Sequence, residues 1–143
     1  VITNYLATVH LVALGEAWTI ASKSNLDLQK TFKGIAASSG NSFVHETESQ
    51  VILNGSYNIN FTMDLVEKDI GLFQKLASKL KVDLEVSPIV LGIIKDAKNK
   101  FGDRAWSSMV VKRLEDRFKT SFRAKGFPEE LVDYDEKQLG NEI

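Results

Sequence analysis

The chain has 143 residues, of which 43% are hydrophobic and 26% charged, and its 18 basic and 19 acidic side chains leave a formal net charge of −1. That is enough for one domain with a proper core, and it excludes a basic surface or arm for nucleic acid. Cysteine is absent and the histidines are His10 and His45, which excludes disulfides and thiol catalysis and argues against any metal site. The lack of cysteine fits a reducing compartment, so a cytoplasmic location, or a mitochondrial matrix, is expected.

The first helix is expected from Val1 to about Ser24. Ile2, Leu6, Val9, Ala13, Ala17 and Ile20 form one seam, thickened by Tyr5, Val12 and Trp18. So broad an apolar surface implies two neighbours, the domain's own core and another domain or subunit. Residues 1–15 carry no charged side chain, yet this run is shorter than the ~20 residues a membrane span needs. It also includes Thr3, Asn4, Thr8 and His10, so a buried helix is expected and no membrane partner. Because the chain opens on Val1 in helical sequence with no capping residue ahead of it, it reads as a fragment of a longer protein.

Asn25 ends this helix, and Asp27 caps a second from Leu28 to about Ala37. Ser38-Ser39-Gly40-Asn41-Ser42 is a break in which Gly40 permits a positive φ. Asn41 or Ser42 then caps a third helix through about Leu53. A serine–glycine loop of this kind is either a plain turn or a set of backbone N–H groups for an anion. Asn54-Gly55-Ser56 is a further turn, and Tyr57 to Phe61 reads as an extended connector.

Thr62 is the expected N-cap of a fourth helix reaching about Lys81, with Val66, Ile70, Phe73, Ala77 and Leu80 on its apolar face. Lys68 and Asp69 are adjacent there, and Gly71 lies three places beyond Lys68, on the same side. A helical glycine costs roughly 1 kcal/mol against alanine and usually marks a close approach to the backbone. Lys68 beside this bare patch suits a ligand carrying an anion or a carbonyl; it equally suits a solvated i, i+4 pair with Asp64.

Ser87-Pro88 reads as a capping serine with proline at the first helical position, opening a helix with Ile89, Val90, Ile93, Ile94 and Ala97 on its apolar face. It ends at Phe101-Gly102. Asp103 is the expected cap of the last helix, whose core stripe is Trp106, Val110, Leu114 and Phe118. Residues 119–143 read as a tail that packs loosely or crosses to a partner, broken at Gly126-Phe127-Pro128 and mostly acidic from Glu129 to Glu136. With no convincing strand pair, the chain is expected to be all-α, a single helical domain of about six helices over residues 1–118.

No glycine-rich phosphate loop, nucleophile elbow or HExxH segment occurs. Several short motifs in order nevertheless resemble the C-terminal helical domain of the β-hydroxyacid dehydrogenases, the group that includes 3-hydroxyisobutyrate dehydrogenase. Leu14-Gly15-Glu16-Ala17 with Asn25-Leu26-Asp27 is similar to the family's "EA…GLD" segment. Ser39-Gly40-Asn41-Ser42 resembles its "SGxS" turn, and Phe61 through Lys68-Asp69-Ile70 its "F…L…KDL" signature. Asn4 fits the asparagine that follows the family's lysine by four residues, which would place that lysine immediately before Val1. The chain departs from the family at Ala105-Trp106-Ser107-Ser108, where an acidic residue is common.

The resemblance implies the helical fold of the 6-phosphogluconate dehydrogenase C-terminal domain and hydride transfer between NAD or NADP and a small β-hydroxy acid. It implies an N-terminal Rossmann domain that binds most of the cofactor, assembly into a homodimer or higher oligomer, and no activity for this chain by itself. Asn4 would position substrate beside the lysine, which acts as general acid/base. Lys68, Phe61 and Asp69 would line the cofactor edge of the cleft. The competing reading is a non-catalytic helical dimerisation or ligand-binding module that kept the fold.

Overall fold

A computed structural model describes residues 1–128; the acidic run from Glu129 to Glu136 lies outside the described residues. Six helices follow one another: α1 (Ile2–Lys23), α2 (Leu28–Ala36), α3 (Phe43–Asn54), α4 (Met63–Leu80), α5 (Ser87–Phe101) and α6 (Met109–Phe118). Among the described residues the extended pairing is confined to an isolated antiparallel bridge between Thr62 and Trp106. The fold is all-α, as the apolar periodicity predicts.

Helix α1 is the hub, packing against each of the other five helices. Its inward face is Thr8, Leu11, Leu14, Gly15, Trp18, Thr19 and Ala21. The predicted seam is mostly the other side of the helix: Ile2, Leu6 and Ile20 are exposed, as are Ala13 and Ala17. A helix apolar all round gives no polar face to orient it, and here the choice falls on the side that carries Gly15. A Cβ at Gly15 would stand 3.1 Å from Val111 Cγ2 and 3.3 Å from Leu114 Cδ1. The missing side chain lets α6 come close, which is what this glycine of the "EA" segment does.

Local side-chain capping accounts for the starts of α2 and α3. Asp27 accepts from the Lys30 N–H at 3.0 Å, and Ser42 accepts from the His45 N–H at 3.0 Å, each satisfying a donor the helix leaves open. Ser87 is not the cap of α5, which is Val86. The serine is buried and accepts at 3.1 Å from Gln74 Nε2, tying α5 to α4. Ile89 and Leu80, assigned to apolar faces, are exposed. Gly40 is not among the glycines at positive φ, which are Gly55, Gly102 and Gly126.

The start of α4 is capped by a distant segment. Thr62 occupies the cap position but makes no cap bond with its side chain; its hydroxyl donates to Asp64 Oδ1. The open N–H groups of Met63 and Asp64 instead donate to the carbonyls of Ala105 (2.9 Å) and Asp103 (3.0 Å), while Ser107 N–H donates to Phe61 O at 2.8 Å. This use of residues 103–107 corrects two expectations. Asp103 does not cap the last helix, and Trp106 precedes α6 rather than lying on it.

The chain past Phe118 is not loose where it is described. Phe122 is completely buried in the core, and Ala124 N–H donates to Leu53 O at 3.1 Å. Arg123 Nη1 donates to Ile52 O at 3.1 Å and to Glu115 Oε1 at 2.9 Å. The same buried carboxylate accepts from the Tyr57 hydroxyl at 2.5 Å. Burial, with the Glu115 carboxylate second, pushes the Tyr57 hydroxyl far above its usual range, so it stays the proton donor. Phe127 meets Phe32 edge-on, with ring centroids 5.0 Å apart.

Candidate functional site

Three of the four predicted site residues meet where the first turn of α1 crosses α4. Asn4 Nδ2 donates to Asp69 Oδ2 at 2.6 Å, although 65 residues separate the two in sequence. Asp69 Oδ1 lies 3.9 Å from Lys68 Nζ, and the lysine side chain is 61% exposed. Next to Asn4 on α1 and one turn beyond Asp69 on α4, Tyr5 stacks on Phe73 with centroids 4.1 Å apart and planes 12° apart, fixing the two helices against each other.

An amide next to a carboxylate must present its nitrogen, so Asp69 fixes which way the Asn4 side chain faces. The amide oxygen and the second N–H are left without partners among the described residues. The pairing of Lys68 with Asp64 is absent: Asp64 Oδ2 is taken by Arg104 Nη1 at 3.1 Å, and the Thr62 hydroxyl holds Asp64 below its usual range, with Arg104 assisting. Gly71 serves no close approach within the chain, since a Cβ there would meet nothing within 4 Å. The surface of α4 beside Lys68 is open.

Phe61 stands on the other side of Asn4. The two line a cavity of about 240 Å³ whose walls include Ala7, Leu11, Val44, Ile59 and Val66. That volume is below the ~300 Å³ at which drug-sized ligand pockets begin, so it suits a group of a few heavy atoms. Its threonines are committed to their own helices, Thr8 Oγ1 donating to Asn4 O and Thr47 Oγ1 to Phe43 O, each at 2.8 Å.

One further polar group of the cavity is one that sequence reasoning missed. Glu48, on α3, also lines it, and Glu48 Oε2 is sealed from solvent with no hydrogen-bond partner among the described residues. Burial raises its carboxyl to about 7 from an ordinary 4.5. Native stability linked to this group is therefore full below about pH 4.5 and is lost as pH rises through 7, because the folded state holds the proton that the unfolded chain releases. The span corresponds to about 3 kcal/mol. Glu48→Gln is expected to flatten stability between pH 5 and 8 and to raise the melting temperature at pH 8, which thermal denaturation at several pH values would check.

Two other sequence features carry no ligand chemistry. In the Ser38–Ser42 turn, Gly40 N–H donates to Ser38 Oγ at 3.3 Å, Asn41 N–H to Ser38 O at 3.1 Å and Ser42 N–H to Asn41 Oδ1 at 2.9 Å. Those amides are spent inside the turn, which removes the anion-cradle alternative. His45 is buried in a chain of hydrogen bonds: Trp18 Nε1–H donates to Ser49 Oγ at 3.1 Å, Ser49 Oγ lies 3.0 Å from His45 Nδ1, and His45 Nε2 lies 2.9 Å from Phe32 O. This order requires the neutral ring protonated on Nε2; burial lowers its pKa in the same sense. No cluster of potential metal ligands occurs among the described residues, and no described helix is long and apolar enough to cross a membrane.

Comparison with known proteins gives a consistent picture. L-threonate dehydrogenase of Escherichia coli K12 is 27% identical over 112 residues, covering 78% of this chain and 37% of that protein. The 2-(hydroxymethyl)glutarate dehydrogenase of Eubacterium barkeri is 27% identical over 116 residues, covering 80% of this chain and 38% of that protein. The crystal structure of 3-hydroxyisobutyrate dehydrogenase from Salmonella typhimurium superposes with a TM-score of 0.72 at 28% identity, over 78% of this chain and 39% of that one. The chain thus spans under two fifths of the length of these relatives. The profile of a family whose members bind NAD(P), described as NAD-binding of NADP-dependent 3-hydroxyisobutyrate dehydrogenase, matches residues 1–124. With all but the last 19 of its residues inside that profile, the chain belongs to this dehydrogenase family.

Proposed function

We propose that this chain is the C-terminal domain of an NAD(P)-dependent dehydrogenase acting on a small β-hydroxy acid, and that it forms one wall of the active-site cleft. The observation that carries the reading is the Asn4–Asp69 hydrogen bond beside the small cavity. It gives an asparagine with a fixed orientation at the place where the family resemblance puts substrate. A lysine immediately before Val1, one helical turn from Asn4, acts as general acid/base and takes up the hydroxyl proton. Asn4 hydrogen-bonds the substrate and holds it beside that lysine; Asp69 positions Asn4.

The cofactor, when bound, accepts the hydride from the hydroxyl-bearing carbon. The residues present fit an edge contact with it, not a complete site. Lys68 offers an exposed ammonium over the open helix surface at Gly71, and the chain has no phosphate loop. An N-terminal Rossmann domain supplies the rest. Lys68 and Asp69 line the cofactor side, with Asp69 shared between Lys68 and Asn4, and Phe61 meets the cofactor from the cavity side of Asn4. The exposed α1 residues Ile2, Leu6 and Ile20 belong to the contact with that domain or with a second subunit of a homo-oligomer.

The test is turnover of a panel of short hydroxy acids by the full-length protein with NAD and with NADP. Absence of turnover on every acid with both cofactors would favour a non-catalytic module. In the same protein Lys68→Ala is expected to raise the KM for the cofactor, or lower turnover, by about tenfold or more without unfolding it. Wild-type kinetics in that variant would remove Lys68 from the site.

A further inference from the structure

The carboxyl of Glu48 has no role in the chemistry above, yet it occupies a costly place. It lines the same cavity as Asn4 and Phe61, and its Oε2 is shut away from solvent without any partner among the described residues. A buried polar group is ordinarily hydrogen-bonded, and an unsatisfied one costs free energy. Of the hydroxyls in the cavity wall, Thr8 and Thr47 donate to the carbonyls of Asn4 and Phe43, and Ser107 lines the wall without bonding Glu48 Oε2. Elsewhere in the core a buried carboxylate is treated very differently. Glu115 is met by Tyr57, Arg123 and the Phe122 N–H. The contrast marks Glu48 as a group whose partner is not among the described residues, and a ligand in the cavity it lines would supply one.

We propose that Glu48 is the specificity-determining residue of the substrate pocket, hydrogen-bonding a second hydroxyl on the carbon chain of a small polyhydroxylated acid whose reacting end is held at Asn4. The inference rests on the dehydrogenase reading of the cleft and deepens it. A hydroxyl both donates and accepts, so it satisfies this carboxyl whether or not the proton is on it; with the group near neutrality at about 7, both forms are present in the cell. An ammonium would pair with the ionised form alone. An alkyl group would leave the carboxyl unpaired, and sites built to bond a hydroxyl reject analogues that lack one by large factors. The cavity's size, about 240 Å³, restricts the ligand to a short acid.

The full-length protein would be given three acids that share one short β-hydroxy acid skeleton and differ in a single substituent: hydroxyl, methyl or ammonium. Both kcat/KM with each cofactor and calorimetric affinity would be measured for the wild type, Glu48→Gln and Glu48→Leu. The hydroxylated acid is expected to be preferred over the methyl analogue by roughly a hundredfold or more. Glu48→Leu should abolish or invert that preference, and Glu48→Gln, which retains a donor and an acceptor, should restore part of it. A preference that survives in Glu48→Leu, or a wild type that favours the methyl or the ammonium acid, overturns the proposal. If no acid is turned over, the dehydrogenase reading fails; the calorimetric preference and its response to Glu48→Leu then still decide whether Glu48 recognises the hydroxyl.

Discussion

Replacing Asn4 with alanine in the full-length protein is expected to lower kcat/KM by about 10²–10³-fold, the range seen when one pre-positioned hydrogen-bonding group is removed from an active site. Asn4 is exposed on the first turn of α1, so the truncation costs little stability, and cofactor affinity should stay near that of the wild type. Asp69→Ala is expected to act through Asn4. Losing the 2.6 Å bond frees the amide to rotate, and the proper orientation becomes one of several. The effect should therefore be smaller and fall mainly on kcat. The decisive measurement is the double variant. If Asp69 acts by orienting Asn4, its removal costs nothing further once Asn4 is alanine, and the two effects do not add. Full additivity would show that Asp69 acts through its place on the cofactor side and not by orienting Asn4.

That pair illustrates what the sequence can and cannot say about the site. Asn4 and Lys68-Asp69 were legible as members of motifs, but nothing in local spacing joins residue 4 to residue 69; the contact is made by the packing of α1 on α4. Glu48 is a stronger case. It sits in a helix that also carries Glu46, which is exposed and accepts from Asn41 Nδ2 at 2.6 Å. Two glutamates two residues apart lie on different sides of a helix, and a sequence reading has no means of knowing which side the cavity is on. The serine–glycine turn failed in the opposite direction. Its composition suits an anion site, while the side chains of Ser38 and Asn41 and the Ser38 carbonyl use up the amides that would have formed one.

The helices themselves were read with small errors at the ends because capping and periodicity are local. Errors arose where a distant segment supplies what a local one usually does. The start of α4 takes its caps from residues 103–105, so Thr62 is released for Asp64, and Asp103 and Trp106 are drawn away from α6. On α1 the fault was different in kind. Its residues 2–15 have no charged side chain to mark the wet side, and the outward seam is as apolar as the buried one. Close approach at Gly15 decides the orientation, and only the partner helix reveals that.

Phe122→Ala is expected to destabilise the protein by about 3–5 kcal/mol, as for other fully buried phenylalanines, lowering the melting temperature by roughly 10 °C or more. Phe118→Ala should cost well under half of that. Periodicity suggests the reverse, since Phe118 completes a four-residue stripe and Phe122 falls in what reads as tail. The structure exchanges their roles. Phe118 is 41% exposed and Phe122 is fully buried, because Lys119 adopts a left-handed conformation with φ 48°, ending α6 and turning the chain back towards α3. The returning segment is then pinned by Ala124 N–H on Leu53 O and by Arg123 on Ile52 O and Glu115. Truncating Phe122 leaves a cavity beneath those bonds. It also loosens the arginine that neutralises Glu115, so part of the loss should appear as lowered cooperativity in denaturant. Equal costs at the two positions would mean that residues 119–128 contribute no more to the core than a tail does.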